Sequence, residues 1–89
     1  MTTTRHAQKR LQQRAIPPLI VEWLHEYGER QRRHDADVIV LDRKAKKRLA
    51  RDVGHQVVDQ LGSLLDAYIV VASDKLITAG WRIDRFKQN

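Results

Sequence analysis

Apolar residues recur four apart at Ala7, Leu11 and Ala15, and predict a first helix from about His6 to Arg14 with its polar residues turned outward. Pro17 and Pro18 close that element and open the next, because a proline in the first helical turn gives up an N–H that would have no partner there. Ile16, Leu19, Ile20, Trp23, Leu24 and Tyr27 then keep helical spacing up to Gly28, a natural stop. Trp23 falls on the apolar stripe and reads as core, while Glu22, Glu26 and Glu29 face solvent. Glu29 to Asp37 is polar throughout and reads as an exposed loop. Val38-Ile39-Val40-Leu41 is short, apolar and rich in β-branched residues, so it predicts a strand.

The stretch from Leu41 to Asp66 changes character halfway. Between Arg43 and Arg51, six of nine residues are cationic, and Ala45, Leu49 and Val53 leave only a narrow apolar stripe. Asp42 is a candidate N-cap for that helix. Gly54 either caps it or is tolerated within a longer one. Beyond it, Val57, Val58, Leu61, Leu64 and Leu65 share an arc of about 120° and are expected to be buried. Ala67 to Ala72 predicts a second strand and Leu76 to Ile83 a third. Ser73-Asp74-Lys75 joins them as a hairpin, without the Asn-Gly pair of the tightest turns. Phe86 is a candidate anchor for the tail.

The order α-α-β-α-α-β-β implies an α+β fold: a small, mainly antiparallel sheet of three to four strands covered by helices on one face. An extra edge strand from Thr2 to Arg5 is an open alternative. Residues 1–89 read as one domain, with 1–4 and 85–89 expected to fray.

Charge narrows the function classes. The chain carries a formal charge of +6 and a sequence pI near 10.2, which suits nucleic acid, an anionic membrane or an acidic protein. The charge is also blocked. Residues 5 to 14 hold Arg5, Lys9, Arg10 and Arg14 without an acid, and residues 17 to 29 hold three glutamates without a lysine or arginine. Arg43, Lys44, Lys46, Lys47, Arg48 and Arg51 are the candidate phosphate contacts, joined by Arg82, although a basic helix face can equally be a plain solvated one. The cationic helix lacks the broad Trp/Phe/Leu face of an interfacial helix, and no apolar run approaches the roughly 20 residues of a membrane span. With no signal-peptide pattern, a cytoplasmic location is expected.

Cysteine is absent, which removes disulfides and thiolate metal sites. His6, His25, His34 and His55 have no ligand spacing, so no metal is expected, and without a phosphate loop or dinucleotide fingerprint no cofactor is expected either. Metal-independent RNA cleavage needs only a proton acceptor, a proton donor and positive charge on the phosphorane. His6, Arg10 and Arg14, four apart on one helix edge, are the candidate catalytic set. Their bland alternative is a solvated edge.

Thr4-Arg5-His6-Ala7, Arg10, Arg14 and Ile16 also resemble the opening S/T-x-H-A-x-x-R-x-x-x-R-x-I of a small uncharacterised bacterial domain family. Ile69-Val70-Val71 through Ile77-Thr78-Ala79 resembles its closing hairpin. That family is distantly similar to RelE/ParE-type toxins, some of which are ribosome-dependent ribonucleases while others poison gyrase. The resemblance implies two helices on an antiparallel sheet and gives His6, Arg10 and Arg14 as motif positions; Ala15 stands where a glycine commonly follows the second arginine. The expected function is RNA binding in preference to DNA, with toxin-like ribonuclease activity as its catalytic form. The alternative is a non-catalytic module that binds a small acidic protein or forms a homodimer.

Overall fold

The structure is a computed structural model and describes residues 2–82; the readings of Ile83, Phe86 and the tail lie outside them. The chain runs β1 (Thr2–Thr3), α1 (Arg5–Gln13), α2 (Pro18–Tyr27), β2 (Glu29–Arg33), β3 (Ala36–Val40), α3 (Arg43–Val53), α4 (His55–Leu61), a 3-10 turn (Gly62–Asp66), β4 (Ala67–Ala72) and β5 (Lys75–Trp81). The class is α+β. The sheet, however, has five strands in the order β1-β5-β4-β3-β2, and it is mixed because β1 runs parallel to β5.

The additional internal strand is β2. Glu29 to Arg33, read as loop, pairs antiparallel with Val40 to Ala36, and all five of its residues are exposed. An outer strand with no buried side carries no alternation of apolar and polar residues, so the usual strand signature is missing. Its turn places His34 at φ +55°. Ser73 and Asp74 are also both left-handed, at φ +50° and +61°. The β4–β5 hairpin therefore has a two-residue turn of type I′ character, and Lys75 belongs to the strand.

Cross-strand partners Ile39, Ile69 and Ala79 lie on the buried face of the sheet. Against them pack Ala7 of α1, Ile20 and Leu24 of α2, and Ala45 and Leu49 of α3, in one cluster that includes Leu41, Leu65 and Leu76. Val38 and Val40 point to the opposite face and stand outside that cluster.

Local chemistry sets the helix ends. Thr4 Oγ1 accepts from the Ala7 N–H at 3.1 Å, and Asp42 Oδ1 accepts from the Ala45 N–H at 2.8 Å, as an N-cap should. Helix α1 closes with the Ile16 N–H on Leu11 O at 2.9 Å and the Ala15 N–H on Gln12 O at 3.2 Å. This is a Schellman motif, whose left-handed position is usually glycine and is here Ala15 at φ +50°. Gly54, at φ +97°, does end α3.

The segment after Gly54 departs from expectation. Gly62 adopts φ +50° and stops α4, so Leu64 and Leu65 sit in the 3-10 turn and not on a continuing helix. No residue of α4 is fully buried; Val58, Leu61 and Leu64 pack at the margin of the core, and only Leu65 enters it. Gly28 also stops its helix for a different reason. Its backbone is extended, at φ −68°, and a Cβ there would run into the Ile39 side chain and the Leu24 carbonyl.

Candidate functional site

Helix α3 carries the strongest charge concentration, and its placement follows from its narrow apolar stripe. Ala45 and Leu49 are fully buried and Ala50 nearly so. At about 100° per residue, that pins Arg43, Lys47, Arg51, Lys44 and Arg48, in that angular order, onto one outward arc of about 140°. All five are exposed.

The cations are not equivalent. Lys46 lies nearer the packed side and pairs with Asp66, Nζ to Oδ1 at 2.9 Å. Arg48 Nη2 donates to the Tyr27 carbonyl at 2.9 Å and so satisfies an open carbonyl at the end of α2. Among the described residues, Arg43, Lys44, Lys47 and Arg51 have neither an ion pair nor a side-chain hydrogen bond. The nearby acid is already engaged: Tyr27 donates its hydroxyl to Asp52 Oδ2 at 2.6 Å. That bond to Asp52, with burial and the negative charges of Asp52 and Glu26, pushes the Tyr27 phenol up to about 12. Glu22, Glu26 and Glu29 lie exposed on α2 and β2 and make no ion pair with α3 among the described residues.

A groove of about 210 Å³ runs between α3 and α4. Arg43, Lys46 and Lys47 form its walls with His55, and Ala50 and Val58 its apolar floor. His55, just after the left-handed Gly54, had no partner spacing in the sequence that would have drawn attention to it.

The His6, Arg10 and Arg14 set is split. Arg10 Nε donates to His6 Nε2 at 3.4 Å, so the imidazole nitrogen facing Arg10 has its lone pair engaged. His6 lines a surface hollow with Arg5, Gln8, Lys9 and Gln12, all of them on α1. Arg14 turns instead to the sheet. Its Nη1 donates to Ala79 O at 3.0 Å, and its own carbonyl accepts from Trp81 Nε1 at 2.9 Å. Gly80 allows that approach, since a Cβ there would meet Arg14 Nη1 and lie 2.8 Å from Tyr68 Oη. Helix α1 packs on β5, whereas α3 packs mainly on α2 and α4. Arg82, at the end of β5, directs Nη1 to the Leu41 carbonyl at 3.3 Å.

No helix among the described residues is long and apolar enough to cross a membrane, and no cluster of three or more His, Asp or Glu among them could hold a metal ion. Compared with protein-family models, curated proteins and solved structures, the chain finds no match.

Proposed function

We propose that this protein binds nucleic acid, RNA in preference to DNA, through the outward face of α3. One observation carries the reading: four exposed cations on a single helical arc have no acidic partner among the described residues. A protein gains little stability from unpaired like charges held close together, but such an array favours a polyanion, whose condensed counterions are released on contact. The preference for RNA rests on the resemblance of the opening motif to a small bacterial domain family that is distantly similar to RelE/ParE-type toxins. Titration of a labelled oligonucleotide at increasing salt is the test. Binding that ignores salt, or fails at low salt, removes the reading.

Cleavage is a second reading, favoured by the His6–Arg10 contact on a cationic surface. In this geometry Arg10 would have to release Nε2 before that nitrogen could take a proton from a 2′-hydroxyl. Arg14 would supply structure and not chemistry, because its guanidinium and carbonyl are both bonded to β5. Loss of any purified nuclease activity in His6→Ala supports this reading, and unchanged activity ends it. A small acidic protein would be drawn to the same α3 face; competition between poly-glutamate and RNA separates the two partners.

A further inference from the structure

Beside the cationic helix lies a pocket of about 280 Å³ lined by Ser63, Leu64, Asp66 and Trp81. An ion pair connects it to the α3–α4 groove, since Lys46 lines the groove, Asp66 lines the pocket, and the two are 2.9 Å apart. Trp81 is partly exposed there although it packs on the core. Its ring is also held in place, because Nε1 donates to the Arg14 carbonyl at 2.9 Å. A fixed indole beside a cationic helix has little to offer a duplex, whose bases are stacked on one another. It suits a single strand, whose unstacked bases seek an aromatic surface.

We propose that Trp81 and its pocket stack one nucleobase of a single-stranded RNA whose phosphates follow α3. This rests on the polyanion reading above and narrows its substrate class. Leu64 supplies an apolar wall for the base, and the lining also holds the Ser63 hydroxyl and the Asp66 carboxylate, whose Oδ1 already accepts from Lys46. Because the ring is already immobilised, stacking costs little side-chain entropy.

The chain has two tryptophans, so Trp23→Phe leaves Trp81 as the only indole reporter. An oligoribonucleotide of about ten nucleotides, single-stranded or annealed to its complement, is titrated while indole emission and anisotropy are followed. The single strand is expected to quench Trp81 with the same midpoint as the anisotropy change, and to bind more tightly than the duplex. Trp81→Leu, which keeps an apolar side chain but removes the π-face, is expected to weaken single-strand binding about tenfold and leave duplex binding unchanged. Should that variant fail to fold, the quench in Trp23→Phe still decides. Unchanged emission with intact binding, equal affinity for both forms, or the same quench from poly-glutamate overturns the stacking site and leaves the α3 reading standing. No binding of either nucleic acid overturns both.

Discussion

Neutralising the cations of α3 one at a time gives the sharpest check on the proposed interface, because the structure ranks residues that look alike in sequence. Each phosphate neutralised contributes about −0.7 to the slope of log K against log salt for a single strand, and about −0.9 for B-form DNA. Four unpartnered cations, Arg43, Lys44, Lys47 and Arg51, give a slope of about −3 to −4, whereas six equivalent ones would give about −4 to −5. Raising salt from about 50 to about 200 mM should then weaken binding about 50- to 150-fold. Lys47→Gln is expected to flatten the slope by about 0.7 to 0.9. Lys46→Gln and Arg48→Gln should flatten it far less, since Lys46 is paired with Asp66 and Arg48 holds the Tyr27 carbonyl. Asp66→Asn, which frees Lys46, should steepen it. Fluorescence anisotropy across a salt series measures all of these. If Lys46→Gln and Arg48→Gln flatten the slope as much as Lys47→Gln, the ranking is wrong, and if Lys47→Gln leaves it unchanged, the interface is elsewhere.

Three further expectations concern stability, each read from urea or thermal unfolding. Ala15→Gly should stabilise the fold by about 1 kcal/mol, because the left-handed backbone at φ +50° costs alanine about 1–2 kcal/mol and the added freedom of glycine in the unfolded chain returns only part of that; a loss of stability would refute the strain. Gly80→Ala should destabilise by about 1–3 kcal/mol, because the new methyl meets Arg14 and Tyr68 and loosens the bond from Arg14 to Ala79 O, and a neutral result would mean both side chains move freely. Tyr27 holds its proton more tightly folded, near 12, than at its ordinary 10.0, so its contribution is fully present below about pH 10 and lost as pH rises through about 12. Urea midpoints of the wild type should therefore fall more steeply across that window than those of Tyr27→Phe, and parallel curves would exclude the Tyr27–Asp52 bond as the cause.

Legibility in the sequence tracked whether a residue's role was local. Asp42 as a cap, the ends of β4 at Ala67 and Ala72, and the stripe of Ala45 and Leu49 all followed from neighbours within a few positions. Strand β2 leaves no strand pattern in the sequence, because Glu29-Arg30-Gln31-Arg32-Arg33 has no buried side to impose a period. The end of α4 is hidden in the sequence, because periodicity continues formally through Gly62 while the backbone there turns left-handed. Within the candidate site, the cationic run was plain, but which of its members are occupied was not. Asp66 lies 20 residues from Lys46 and Tyr27 lies 21 from Arg48, and pairings over such distances exist only once the sheet brings α2, α3 and the 3-10 turn together. Arg14 shared its spacing with Arg10, yet its partners Ala79 and Trp81 lie more than 60 positions away on β5.

The two margins of the sheet are finished in opposite ways. At one, β2 is an exposed, charged outer strand whose Arg30 and Arg32 both pair with Asp37 of β3, at 3.4 and 3.3 Å. At the other, β1 pairs with only Lys75 and Leu76, and farther along β5 the Ala79 carbonyl is taken by the Arg14 side chain before another strand could reach it. A charged outer strand on one side and an occupied carbonyl on the other both work against adding strands to the sheet.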